Sequence, residues 1–328
     1  MSGGRSARPV VVVTRRLPGP VEEQLTKEFA ARLNAADRPL SAAELMDALR
    51  TADALLPTVT DGLTAQVLAV EPLRARIIAN YGVGFNHIDV AAAKARGLVV
   101  TNTPDVLTDD TADDALMLML MVARRGAEGD RIVRAGAWKG WAPTHMLGTR
   151  VSGKTLGLVG LGRIGRAVAH RAHHGFGMRV IFHDPYPPPA AVVSELGAQA
   201  RDSVDDVLRE ADFVSLHSPA TPETRHLIDA RRLALMKRGA FLINNARGDI
   251  VDEAALVAAL KQGTIAGAGL DVFEREPAVP PDLLTMENVV LLPHLGSATH
   301  ETRIAMGLRA LDNLKAFFAG APPRDRVA

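Results

Sequence analysis

The sequence predicts an α/β protein of two parallel-sheet domains with a cleft between them. Three observations carry that prediction. At 328 residues, the chain exceeds the roughly 250–300 residues that one hydrophobic core usually fills. Short apolar runs alternate with segments of helical spacing over residues 10–101, and the alternation resumes from residue 151. Alternation of this kind is the mark of βαβ units and a parallel sheet. Between the two series lies a stretch, 104–150, that is helical and then irregular. Both lobes are therefore expected to be Rossmann-like/flavodoxin-like sheets.

The first lobe reads element by element. Residues 10–13 are four valines and form a strand, and 21–33 has helical spacing. Ser41 followed by Glu44 is a capping box opening a short helix. Strands are expected at 54–57 and 76–79. Asp89 caps a helix that Gly97 ends, and 98–101 closes the set as a strand.

A long helix is then expected over 108–125, and a second over 128–137. Trp138 and Trp141 follow, in a chain that is only 4% aromatic. Two readings of this pair are open: a plug for the domain's own core, or aromatic anchors of a subunit contact. From 151 onward, strands are expected at 155–159, 179–183, 213–217, 240–244, 265–271 and 289–292. One last helix, 301–318, is apolar at Ile304, Leu308, Leu311, Leu314 and Phe318. It is expected to pack back on the first lobe. The domains are accordingly read as 1–103 with 293–328, and 104–292, the latter including the arm 104–150. Two crossings between lobes would make the cleft a hinged one.

The sharpest local signal is Val159-Gly160-Leu161-Gly162-Arg163-Ile164-Gly165, between an apolar strand and a helix expected over 164–172. Gly160 permits a tight turn, Gly162 lets backbone N–H groups approach a pyrophosphate, and Gly165 allows close strand–helix packing. The helix start at Arg163 and Ile164 adds N–H donors and a positive dipole end. Asp184 stands nineteen positions beyond Gly165, at the end of the next strand. Its carboxylate can accept bonds from ribose hydroxyls and would repel a 2′-phosphate. No arginine follows in Pro185-Tyr186-Pro187. The cofactor is therefore expected to be NAD(H), preferred over NADP(H).

Composition narrows the partners. The net charge is +1, with 47% hydrophobic and 23% charged residues and no long basic block, so no nucleic-acid partner is expected. With no cysteine, disulfides, thiolate catalysis and cysteinyl metal sites drop out, and no metal site is expected. A polar Ser/Gly/Arg start runs into only four valines, too short for a signal peptide, and no apolar run reaches a membrane span. A cytoplasmic location without membrane contact is expected.

Hydride transfer to a carbonyl also needs a proton donor and a group to hold the substrate. Arg247 ends one strand and can clamp a carboxylate bidentately. His294 ends another and is suited to donate a proton near neutrality. The loop 271–277, after a third strand, offers Glu276 to orient the ring and favour its charged form. Strand carboxyl ends are where open α/β sheets bind ligands. Taken singly, each residue has a structural explanation, such as a surface ion pair or a hydrogen-bonded ring; their combination behind a nucleotide fold points to chemistry. The other histidines, 87, 145, 170, 173, 174, 183, 226 and 300, are read as structural.

The same stretches carry a family resemblance over 10–318. Tyr81-Gly82-Val83-Gly84, Thr103-Pro104-Asp105-Val106-Leu107-Thr108, Lys139-Gly140-Trp141-Ala142-Pro143, Leu216-His217-Ser218-Pro219, Asn245-Ala246-Arg247-Gly248, Asp271-Val272-Phe273-Glu274-Arg275-Glu276-Pro277 and His294-Leu295-Gly296-Ser297-Ala298-Thr299 resemble the D-isomer-specific 2-hydroxyacid dehydrogenases, most closely the glyoxylate/hydroxypyruvate reductase branch. The resemblance implies a catalytic set of Arg247, Glu276 and His294, with backbone N–H groups of Val83 and Gly84 on the substrate carboxylate. It implies that Asp271 holds the nicotinamide amide and that Thr111, His217, Ala246 and Gly296 line the cofactor. It further implies a homodimer made by the 104–150 arm, an arrangement that would let Trp141 approach the neighbouring subunit's site.

The implied activity is NAD(P)H-dependent reduction of small 2-oxo acids, glyoxylate to glycolate and hydroxypyruvate to D-glycerate, with His294 as general acid. Reduction of bulkier 2-oxo acids such as phenylpyruvate, or a non-catalytic NADH-sensing corepressor-like role, are the alternatives. Two residues depart from the pattern: Asn245, where a small or branched residue is common, and Asp110, where Ala is usual. The chain stops soon after its last helix, without the regulatory extension of longer phosphoglycerate dehydrogenases, so serine-pathway control is not expected.

Overall fold

Two sheets, all of whose strand pairings are parallel, organise the computed structural model, which describes residues 8–328; the polar start read from the sequence lies outside them. One unit comprises the chain up to Leu107 together with Thr299–Ala328, and the other is Thr108–Ala298.

In the first unit, β1 (Val10–Val13), β2 (Ala30–Arg32), β3 (Ala54–Leu56), β4 (Ile77–Ala79) and β5 (Val99–Thr101) lie in the order β2-β1-β3-β4-β5. This is the flavodoxin-like order. Strand residues such as Leu55, Ile77 and Ile78 are fully buried, as a sheet covered on both faces requires. The Ser41–Glu44 capping box forms, and Asp89 caps Val90–Ala95. One expectation fails here. The helix expected over 21–33 is Gly19–Glu28, and β2 follows almost at once, beside β1. Val21, Leu25 and Phe29 are buried at helical spacing, so periodicity alone carries the pattern through Phe29, where the backbone is already extended.

The last helix, His300–Phe318, packs on this unit as expected. Gly307 lies so close to Val21 that a Cβ would sit 2.5 Å from its Cγ1. The Phe318 and Phe29 rings are 5.7 Å apart, and Tyr81 Oη donates to the Arg303 carbonyl. Thr302 Oγ1 also donates to Val106 O at 3.2 Å. That bond keeps residues 104–107 with the first unit, a little beyond the expected boundary.

The second unit holds β6 (Thr155–Val159), β7 (Arg179–His183), β8 (Ala198–Ala200), β9 (Phe213–Leu216), β10 (Phe241–Asn244), β11 (Gly267–Leu270) and β12 (Val289–Leu291). Their order is β12-β11-β10-β9-β6-β7-β8, the Rossmann order extended by one strand. The strand order reverses between β6 and β9, and the crevice beside that point is where such sheets bind ligands. β8 was not expected from the sequence. It is three residues long with only Ala198 buried, too little apolar pattern to register.

The helix expected over 164–172 is Arg163–His170 and continues as a π-turn, Arg171–Gly175. The helix Thr108–Ala123 buries Ala112, Ala115, Leu118 and Met119 against this sheet. Beyond it, Gly126–Arg134 buries no residue. Trp138 is 55% exposed and Trp141 83% exposed, so the reading of the two tryptophans as a core plug is wrong. Their segment follows a helix that buries nothing, so neither ring has a core to enter. No helix among the described residues is long and apolar enough to cross a membrane.

Candidate active site

Two clusters form at the carboxyl ends of the second unit's strands. The first is backbone. Gly160, directly after β6, has φ +96, and a Cβ there would lie 2.9 Å from the His217 carbonyl carbon. Only glycine adopts that conformation at that distance without strain. At Gly165 a Cβ would meet the Gly160 carbonyl oxygen at 2.4 Å, so the helix start is pressed onto the turn. Gly162 differs: it is the N-cap of Arg163–His170, has no side chain to cap it, and faces open space. The first N–H groups of a helix have no partner within the helix, so this end offers donors to an anion.

Asp184, just past β7, is fixed by two backbone donors. Leu161 N–H bonds Oδ2 and Tyr186 N–H bonds Oδ1, both at 2.7 Å. His217 leaves β9 on the other side of the turn, its Nε2 2.9 Å from Ser215 Oγ. Burial pushes this ring down to about 4, so it is neutral at physiological pH. A glycine cradle, a helix start without a side-chain cap and an acid at the neighbouring strand end fit a dinucleotide.

The second cluster is made of side chains from three strand ends. The turn after β10 is held by Asn244, whose Oδ1 accepts from Ala246 N–H at 3.1 Å while its Nδ2 donates to Arg247 O at 2.9 Å. Arg247 Nη1 donates to Ala246 O at 2.6 Å. Burial lowers the guanidinium from its ordinary value and the Glu276 charge opposes that; an arginine remains charged at any relevant pH. At Gly248 a Cβ would fall 1.9 Å from the Phe273 carbonyl carbon. Absence of a side chain there lets the Arg247 turn lie against the loop that carries Glu276.

In that loop, Glu276 Oε1 accepts from Phe273 N–H at 3.1 Å and Oε2 meets His294 Nδ1 at 2.8 Å. Burial would raise this carboxyl, but the hydrogen bond and charge of His294 bring it below its ordinary value. His294 has φ +56, a left-handed conformation that costs a non-glycine residue about 1–2 kcal/mol. The bend is held by β11. His294 N–H donates to Asp271 O at 2.9 Å, and Leu295 and Gly296 N–H groups bind the Asp271 carboxylate at 2.6 and 2.9 Å. These bonds keep residues 294–298 in the second unit, whereas the sequence reading assigned everything from 293 to the first. Asp271 is fully buried, and burial, aided by the Glu276 charge, raises it. Thr111 Oγ1 donates to Gly296 O at 2.8 Å.

The residues expected to act together thus fall into two groups. Gly160, Gly162, Arg163, Ile164, Gly165, Asp184 and His217 gather at the β6 end. Thr111, Ala246, Arg247, Asp271, Glu276, His294 and Gly296 gather at the ends of β10, β11 and β12. Val83 and Gly84 belong to the first unit, in the loop after β4. Buried Asn80 donates to Gly84 O at 3.0 Å and Asn102 donates to Val83 O at 2.9 Å. Sequence reasoning missed Asn244, Asn80 and Ser215. An Asn bonding the N–H two residues on is a recurrent turn device, so Asn244 was the one a closer reading could have found.

Residues 116–296 match the D-isomer specific 2-hydroxyacid dehydrogenase NAD binding domain. A glyoxylate reductase of Thermococcus kodakarensis is 47% identical over 96% of this chain and 95% of its own length. Another, from Korarchaeum cryptofilum, is 47% identical over 98% of this chain and 96% of its own. Among solved structures, an NADPH-dependent glyoxylate/hydroxypyruvate reductase of Sinorhizobium meliloti, in complex with NADP and malonate, superposes with a TM-score of 0.87 at 38% identity, covering 98% of this chain and 97% of that one. The chain belongs to the D-isomer specific 2-hydroxyacid dehydrogenase family.

Proposed function

We propose that this protein is an NADH-dependent reductase of small 2-oxo acids, glyoxylate and hydroxypyruvate first. The observation that carries the reading is the His294–Glu276 pair at 2.8 Å, at the strand ends that also bear Arg247. When bound, the dinucleotide supplies a hydride to the substrate's carbonyl carbon. Arg247 holds the substrate carboxylate and polarises the carbonyl beside it. Backbone N–H groups of Val83 and Gly84 serve the same carboxylate in this reading. Glu276 occupies His294 Nδ1, which leaves Nε2 to carry the proton delivered to the developing alkoxide. Positioning and charge stabilisation at that oxygen supply most of the acceleration.

The cofactor preference rests on Asp184. Its carboxylate is held by Leu161 N–H of the glycine turn and by Tyr186 N–H two residues on, so it is not free to swing away from a 2′-phosphate. That favours NADH, although the Sinorhizobium relative is NADPH-dependent. The exposed Trp138, Trp141 and Leu147 support a homodimer formed through the arm, checked by molar mass in solution for wild type against Trp138→Ala/Trp141→Ala.

The deciding experiment is steady-state oxidation of NADH, and separately NADPH, with glyoxylate, hydroxypyruvate, pyruvate and phenylpyruvate. Fast NADH turnover with the first two substrates is the expected result. Preference for phenylpyruvate would keep the mechanism and overturn the substrate. No turnover with any, despite tight NADH binding, would overturn the enzymatic reading.

A further inference from the structure

Behind the second cluster lies a buried polar couple to which the mechanism above gives no task. Asp114, on the helix Thr108–Ala123, is 5% exposed; Asn245, one residue past β10, is 6% exposed. Asn245 Nδ2 donates to Asp114 Oδ2 at 3.1 Å and to Thr111 O at 2.7 Å. The other oxygen of each side chain, Asp114 Oδ1 and Asn245 Oδ1, is buried without a hydrogen-bond partner. Each such orphan costs about 1–3 kcal/mol, so an apolar pair would serve packing better.

What the couple does hold is Thr111. From there an unbroken run of hydrogen bonds leads through Thr111 Oγ1 to Gly296 O, and through Gly296 N–H to the Asp271 carboxylate. Asp271 in turn fixes the backbone of His294 and Leu295. We propose that Asp114 and Asn245 are positioning residues for the reduction: through Thr111 they lock the 294–296 loop, and so set where His294 presents its ring. The inference rests on the role given to His294 above.

The charges facing Asp114 fit that task. Asp271, at the end of β11, and His294, after β12, both act on it, and Asn245 bonds it from the end of β10. Burial and the Asp271 charge push Asp114 up to about 6. A protonated Asp114 carries an O–H donor where the carboxylate offers only acceptors. The ionised form of Asp114 is opposed by the Asp271 charge.

The test compares wild type with Asn245→Leu, Asp114→Asn, Thr111→Val and the Asn245→Leu/Thr111→Val double variant. Amide hydrogen exchange over 293–298 is read without cofactor, and kcat for NADH with glyoxylate is read across pH. Asn245→Leu should speed exchange in that segment about tenfold and lower kcat about tenfold. Thr111→Val should do the same, and the double variant should be little worse than either single one, because both cut one chain of bonds. Asp114→Asn, which keeps the shape, should retain at least half of kcat at pH 7.5 and lose any inflection near pH 6. Unchanged exchange, or fast exchange with kcat within twofold of wild type, would overturn the proposal, as would multiplicative losses in the double variant. The control keeps the two readings apart. Wild type that turns over while His294→Ala does not leaves the enzymatic reading intact whatever Asn245→Leu shows. Wild type without turnover removes that reading and the positioning role with it.

Discussion

The β6 end and the β10–β12 ends of the second sheet both carry candidate site residues but are built by opposite means. At β6 the site is backbone: a glycine at φ +96, a helix start and one acid, all within residues 160–184. At β10–β12 it is side chains: Arg247, Glu276 and His294 come from three strand ends and are held by bonds to Asn244, Phe273 and Asp271. The first kind of site is written in adjacent residues and depends on what is missing from them. The second depends on three loops meeting at the right height, so its weak points lie in the contacts between loops.

The largest test of this contrast is His294→Ala. Removing the proposed general acid should cut kcat by roughly 10²–10⁴, with NADH affinity, measured by fluorescence titration, near wild type. Next is Gly248→Ala. A Cβ 1.9 Å from the Phe273 carbonyl carbon forces the Arg247 and Glu276 loops apart. The expected loss is about 3 kcal/mol, roughly 6–12 °C in Tm for a unit of this size, together with a lower kcat. Thermal unfolding followed by calorimetry would show it.

Gly162→Ala sharpens the comparison from the other side. Nothing in the chain lies within 4 Å of that position, so Tm should stay within about 1–2 °C of wild type. A methyl group there stands where a pyrophosphate must approach the N–H groups, and NADH binding should weaken about tenfold or more. A Tm loss without an affinity loss would mean the turn is structural only.

The smallest effect is a dependence on pH. Glu276 lies below its ordinary value because His294 holds its ionised form against burial. A depressed carboxyl of this kind stabilises the fold above the ordinary carboxylate range, and that contribution is lost as the pH falls through the lowered value. Glu276→Gln abolishes it at neutral pH and replaces the charged partner of His294 Nδ1 by a neutral amide. The stability difference between wild type and Glu276→Gln should therefore shrink as the pH falls through the ordinary carboxylate range, and a difference that does not change with pH would break the pairing.

How legible each feature was follows from its range in sequence. The Gly160–Gly165 turn, the Ser41 capping box, the Asp89 cap and ten of the twelve strands could be read because each signal lies within a few residues. The helix boundary at Glu28 and the strand Ala30–Arg32 could not, because helical burial continues through Phe29 with no glycine or proline to stop it. Arg247, Glu276 and His294 were legible as candidates by residue type and strand-end position. Their supports were not: Asn244 is an ordinary strand residue until the turn closes on it. Asn245 was noticed only as a departure, with nothing to indicate that Asp114, on a helix more than a hundred positions earlier, would bond it.

By itself, then, the sequence determined the two parallel sheets, the glycine turn and the identities of the polar groups that stand at the strand ends. These depend on local propensity, on hydrophobic period and on glycines whose backbone no other residue can replace. Only the tertiary structure decided which loops lie within hydrogen-bond reach, that the tryptophans stay outside the core, and that the 294–298 segment is fastened to β11. Those outcomes are sums of many weak long-range contacts, and no short stretch of sequence contains both partners of any one of them.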